Sequence, residues 1–150
     1  MIEDSQRYLL DTNILLHIVR GGNSSVLIAE LEARFDLFTG RNRVYVSYVT
    51  VGEIRVLGEK NHWGANKWTE LNRLLTNYQV IPLSGPNLLD AYVSIETYSH
   101  YLGREVGSKN DLWIAATAFV YQLTLITTDR DFDHLGGEYF LLAYLDPMNG

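Results

Sequence analysis

Five short apolar runs punctuate this chain: Tyr8-Leu9-Leu10, Val44-Tyr45-Val46-Ser47, Val80-Ile81, Leu125-Ile126-Thr127 and Tyr139 to Tyr144. Each is too short for a helix, and the segments between them carry apolar residues at helical spacing, so strands alternate with helices. Neighbouring strands joined by helical crossovers run parallel, and an α/β layer fold follows, with helices on both faces of a mostly parallel sheet.

The helical segments are Ile14 to Arg20, Ser24 to Phe38, Thr50 to Glu59, Ala65 to Leu75, Pro86 to Leu102 and Asp111 to Tyr121. In the second, Val26, Leu27, Leu31, Phe35 and Phe38 line one face behind a Ser24 cap, and Gly40 supplies the stop. Pro86 sits in a first helical turn, where its missing N–H costs nothing. The 150 residues, 47% of them hydrophobic, suit one domain over residues 1–150 with a substantial buried core.

A sheet of this type binds ligands outside the carboxyl ends of its strands. Asp11 follows the first strand in Leu9-Leu10-Asp11-Thr12-Asn13, and Glu53 lies early in the helix after the second. Asp111 opens the most apolar helix in Ser108-Lys109-Asn110-Asp111, and Asp129 and Asp131 follow the fourth strand in Thr127-Thr128-Asp129-Arg130-Asp131-Phe132. Each acid alone has a structural explanation. Thr50-Val51-Gly52-Glu53 matches a capping box, and an Asp in a first helical turn is favoured by the helix dipole.

Together they ask for more, because capping does not require acids; Ser, Thr or Asn would serve. Several carboxylates at one sheet edge raise each other's pKa unless a cation neutralises them, and a hard ion such as Mg²⁺ or Mn²⁺ takes oxygen ligands. Removing these five from the 18 acids leaves the 12 bases almost balanced, so the acidity is concentrated in one place. Metal-assisted phosphoryl hydrolysis is the reaction class this predicts.

These motifs resemble those of PIN-domain ribonucleases, in order and across nearly the whole chain. The residues that carry the likeness are Asp11-Thr12-Asn13 after a strand, the isolated Glu53, Asn110-Asp111 before Leu112-Trp113-Ile114-Ala115-Ala116, and Thr127 to Phe132. The resemblance implies a PIN-like (PilT N-terminus) three-layer α/β/α fold with a central, mostly parallel sheet of about five strands. It also implies Mg²⁺- or Mn²⁺-dependent endonuclease action on RNA. By that likeness Asp11, Glu53, Asp111 and Asp129 form the acidic quartet that holds metal, with Asp131 an additional or alternative member. Asn13 and Thr128 would orient ligands or water behind them. Members of this size are most often VapC-type toxins, which pair with a protein antitoxin and commonly form homodimers.

Other features narrow the field. The formal charge of −6 argues against a broad basic surface, so nucleic acid would meet a local patch. Lys109 and Arg130, each beside a candidate ligand in sequence, are candidate phosphate contacts, with surface ion pairing as the alternative. With no cysteine, disulfides, thiolate nucleophiles and Cys-based zinc sites are all excluded, which fits a cytoplasmic protein. Glu3 and Asp4 stand where an export signal carries positive charge, and the uncharged run Leu112 to Thr128 is shorter than the about 20 apolar residues of a spanning helix. No membrane partner is expected.

His17, His62, His100 and His134 lack zinc-site spacing, and no nucleophile elbow, P-loop or dinucleotide fingerprint occurs. The aromatics Tyr92, Tyr98, Tyr101, Trp63 and Trp68 are core residues by default and base-stacking or interface residues otherwise, while Trp113 is assigned to the core. Gly58 to Trp68 matches no motif and reads as a loop near substrate or a particular connection. Two alternatives stand beside the nuclease: a haloacid-dehalogenase-like Mg²⁺-dependent phosphatase, which needs a second Asp where Asn13 stands, and a non-catalytic binding module of the same fold.

Overall fold

The computed structural model describes residues 6–21 and 26–146. Its strands are β1 (Arg7–Leu10), β2 (Arg43–Ser47), β3 (Gln79–Ile81), β4 (Thr124–Thr127) and β5 (Leu142–Tyr144). Its helices are α1 (Thr12–Gly21), α2 (Val26–Phe35), α3 (Tyr48–Lys60), α4 (Ala65–Asn77), α5 (Pro86–Leu102) and α6 (Lys109–Tyr121), and a 3-10 turn covers Arg130–Leu135. The sheet has the order β3-β2-β1-β4-β5 and every pairing is parallel. This is the five-stranded α/β sheet that the resemblance to PIN domains implies, with every strand parallel.

Side-chain alternation divides the core into two layers. Tyr8 and Leu10 of β1, Val44 and Val46 of β2 and Ile126 of β4 pack with α1, α2, Ile54 of α3, and Leu71 and Leu74 of α4. Leu9, Tyr45 and Leu125, one residue out of step, pack with α5, α6 and the 3-10 turn. Near-complete burial of β1, β2 and β4 on both faces explains why these strands are continuous apolar runs instead of alternating ones. On α6 the contact surface is Ala115, Ala116 and Ala118, all fully buried, which lets the helix lie close to sheet and α5.

Helix boundaries moved where a cap decided them. Ser47 accepts a hydrogen bond from the Val49 amide, so α3 starts at Tyr48 and Thr50 falls inside it. Thr50 and Glu53 therefore form no capping box. The capping box lies at α6, where Ser108 accepts from the Asp111 amide and the Asp111 carboxylate accepts from the Ser108 amide. Helix α2 ends at Phe35 because Asp36 takes a left-handed conformation (φ 53°), so the stop precedes Gly40 and Phe38 lies beyond the helix. Ser24, the expected α2 cap, lies outside the described residues. The last strand is shorter than expected, because Tyr139 and Phe140 belong to a turn in which the Phe140 carbonyl accepts from the Gly137 amide.

Gly58 to Trp68 is an α3–α4 hairpin fastened by aromatic rings. Trp63 and Trp68 pack at 5.3 Å between ring centroids, over the bare backbone of Gly58. Trp113 is half-buried, stacked on Tyr92 at 4.1 Å, so it closes the core's margin instead of filling its centre. Among the described residues, no single helix is long and apolar enough to cross a membrane.

Candidate active site

From β1 the chain proceeds outward through β2 and β3, then returns to build β4 and β5 on the other side. The β1/β4 junction is therefore the point where the strand order reverses, and the crevice beyond the strand ends opens there. A cavity of about 700 Å³ occupies it, lined by Asp11, Glu53, Asp111 and Asp129 together with Thr12, Asn13, Ser108 and Asn110. Val49, Val56 and Leu57 of α3 form its apolar wall, with Gly52 between them.

Asp11 lies deepest, 3% exposed. Its Oδ1 accepts from the Thr12 amide at 2.8 Å and its Oδ2 from the Thr127 hydroxyl at 2.7 Å. Burial pushes its carboxyl up from 3.8 to about 6; the Thr127 and Thr12 hydrogen bonds oppose that push, and the charges of Asp111 and Asp129 add to it. Burial likewise raises the Asp111 carboxyl, helped by the charges of Asp129 and Glu53 and opposed by the bond from the Ser108 amide. The acids thus feel one another electrostatically, as carboxylates in one cleft must.

Glu53 is held at both oxygens. Its Oε1 accepts from the Thr12 hydroxyl at 2.6 Å and its Oε2 from Asn110 Nδ2 at 3.1 Å, so α1, α3 and α6 are tied across the cavity mouth. Thr12 and Thr50 hydroxyls share a further bond at 3.0 Å. Asp129 accepts from the Asp131 amide at 2.8 Å, and its own amide donates to Thr127 Oγ1 at 2.9 Å. Asp131 is exposed, yet its carboxylate reaches towards that of Asp111: a Cβ on Gly107 would lie 2.6 Å from Asp111 Oδ2 and 3.3 Å from Asp131 Oδ2.

Among the described residues, no three carboxylate or imidazole groups stand close enough together to clasp an ion as the side chains are placed. The donor set is nonetheless all oxygen, and its members raise one another's pKa, the chemistry that suits a hard divalent cation. In composition and charge these residues fit Mg²⁺ or Mn²⁺.

Of the residues singled out in the sequence, Asp11, Glu53, Asp111, Asp129 and Asn13 line the cavity. Lys109 and Arg130 do not. Lys109 Nζ donates to Glu96 Oε2 of α5 at 3.1 Å, and Arg130 donates to Asp133 at 3.3 Å while its guanidinium lies over the Tyr144 ring. The hydroxyl that bridges Asp11 and Asp129 is that of Thr127, one residue before Thr128. Burial decides between them, since Thr127 is fully buried at the end of β4 and Thr128 is past it. Thr12, Asn110 and Ser108 stand within the motifs read from the sequence but were assigned no role there, although all three neighbour a candidate acid or share its first helical turn.

The family model for the PIN domain matches residues 8–138. Among solved structures, VapBC2 from Rickettsia felis bound to a DNA fragment from its promoter is similar at 23% identity, with a TM-score of 0.74, 93% of this chain and 98% of that chain covered. FitAcB from Neisseria gonorrhoeae is similar at 26% identity with a TM-score of 0.71, covering 95% and 99%. VapBC-5 from Mycobacterium tuberculosis follows at 24% identity and 0.66, covering 91% and 97%. No curated protein sequence matches the chain. With the family match spanning most of its length and the five parallel strands in place, the chain belongs to the PIN domain family.

Proposed function

We propose that this protein is a Mg²⁺- or Mn²⁺-dependent endoribonuclease, the toxin of a toxin–antitoxin pair, acting in the cytoplasm as one domain over residues 1–150. One observation carries the reading: four carboxylates from distant parts of the chain line a single cavity at the strand ends, the most buried of them with its carboxyl pushed up to about 6. Stability alone gives no reason to gather them, because acids sharing a half-buried cleft repel.

Asp11, Glu53, Asp111 and Asp129 would hold the metal, with Asp131 in reserve beside Asp111. When bound, the ion supplies positive charge to a phosphodiester under attack and makes water easier to deprotonate. The chain's own groups fix the acids in place: Thr127 and the Thr12 amide hold Asp11, Ser108 holds Asp111, and Thr12 and Asn110 hold Glu53. Asn13 faces the same cavity and would orient water or phosphate. Lys109 would reach the RNA backbone by leaving Glu96, an exposed pair that costs little to break.

An antitoxin partner is supported by the similar VapBC structures and by a toxin–antitoxin complex from Klebsiella pneumoniae at 24% identity. A homodimer is supported by exposed apolar side chains on α3 (Tyr48, Val56) and α5 (Leu89, Val93).

The test is incubation of the purified full chain with a mixed RNA pool and Mn²⁺ or Mg²⁺, beside Asp111→Asn and an EDTA control. Discrete cuts that disappear in both controls are expected. Cleavage unaffected by EDTA, or none by the wild type with metal bound, would overturn the reading.

A further inference from the structure

The strand ends carry a second feature outside the acid-lined cavity. Tyr144 closes β5, and its register partner on β4 is Thr127, the residue that bonds both Asp11 and the Asp129 amide. Neighbouring strands lie about 4.8 Å apart, so the Tyr144 backbone stands one strand spacing from Thr127, which holds both acids, and two from the end of β1, where Asp11 follows. Its side chain is half-buried and stands on the same sheet face as that of Leu142, two residues earlier.

Two guanidinium groups meet at this residue. Arg130, between Asp129 and Asp131 in sequence, places its guanidinium carbon 3.7 Å from the Tyr144 ring centroid. Arg34 Nη1 donates to the Tyr144 carbonyl at 3.3 Å and to Glu30 at 3.1 Å. The Arg130 side chain remains 66% exposed, and its ionic partner Asp133 lies at 3.3 Å on the surface. A guanidinium thus lies over an aromatic ring while most of its side chain stays in solvent.

We propose that Tyr144 and Arg130 form a stacking subsite for a nucleobase next to the phosphodiester at the acid-lined cavity. The proposal rests on the endoribonuclease reading and names where the unpaired strand is gripped. Two features favour a base as the occupant. Bases stack on aromatic rings and on guanidinium planes with little regard to sequence. The guanidinium edge adds a cationic donor for the adjoining phosphate, and none of the residues lining the acid-lined cavity is basic.

Binding separates this proposal from catalysis. A labelled single-stranded oligoribonucleotide is titrated in Mg²⁺ against full chain carrying Asp111→Asn, alone and combined with Tyr144→Leu, Tyr144→Phe or Arg130→Lys. A set of oligonucleotides with one abasic position each is titrated in parallel. Tyr144→Leu and Arg130→Lys are expected to weaken binding about tenfold, and Tyr144→Phe to retain it. At one abasic position the losses should vanish, because no base is left to stack.

Equal binding by Tyr144→Leu, equal losses for Leu and Phe, or losses independent of every abasic position would overturn the subsite. Wild-type cleavage of RNA with a silent Tyr144 would sink the subsite and leave the nuclease standing. Tyr144-dependent binding without any cleavage would do the reverse. Absence of RNA binding by the wild-type side chains would remove both.

Discussion

The Thr127 hydroxyl donates to Asp11 Oδ2 at 2.7 Å and accepts from the Asp129 amide at 2.9 Å, so one buried oxygen aligns two acids from opposite ends of the chain. Thr127→Val keeps the shape and removes both bonds. A hydrogen bond to a charged group contributes about 1.5–3 kcal/mol, and the variant should lose stability in that range at neutral pH, read by urea unfolding. It also removes the interaction that holds the Asp11 carboxyl down, so the acid limb of the pH–activity profile should move to higher pH. An unchanged limb would contradict this role for Thr127.

Asp11 makes stability depend on pH in a particular direction. Its carboxyl rises from 3.8 to about 6 on folding, so its favourable contribution is complete below pH 4 and is lost as pH rises through 6. The difference is on the order of 3 kcal/mol. Metal-free protein should unfold at lower urea at pH 7.5 than at pH 5, and Asp11→Asn should flatten that slope. Mn²⁺ should restore the midpoint at pH 7.5 and add little at pH 4, where Asp11 is protonated.

Gly107 leaves room for two carboxylates. A methyl group there would meet Asp111 Oδ2 at 2.6 Å and Asp131 Oδ2 at 3.3 Å. Gly107→Ala should therefore displace Asp111 and weaken Mn²⁺ binding several-fold in calorimetric titration. Because the loop is exposed, the thermal midpoint should move little. Unaltered metal affinity would show that Asp111 tolerates the displacement.

Gly58 tests the hairpin independently of function. An added Cβ would overlap Trp68 at 2.6 Å and Trp63 at 2.8 Å, ring atoms packed against the core. Overpacking of this kind costs about 1–3 kcal/mol, and Gly58→Ala should lower the urea midpoint accordingly and alter tryptophan fluorescence. A variant as stable as wild type would mean the α3–α4 hairpin can open without penalty.

The sheet was legible because each strand is an apolar run closed by a punctuating residue, and Leu9, Val46 and Leu125 have no other place to go. The acids were legible because they follow those runs directly. The supporting hydroxyls and amide were not, since Thr12, Thr127 and Asn110 act through partners 41, 116 and 57 positions away. Side-chain caps were equally hard to place. Thr50 and Ser47 are both plausible cap residues on paper, and only Ser47's contact with the Val49 amide decides where α3 begins. Lys109 and Arg130 sit beside acids in sequence, but helix geometry turned one towards α5 and aromatic stacking drew the other to β5.

Because β4 lays itself beside β1 and not beside β3, which precedes it in sequence, the cavity is complete only once β4 is in place. A chain emerging from the ribosome displays Asp11 early, yet Asp11 has no Thr127 to hold it and no Asp129 beside it until residues 127–129, more than a hundred positions later, have been translated. The order of synthesis therefore leaves an interval during which helices and the first three strands are free to gather while the acid-lined cleft does not yet exist.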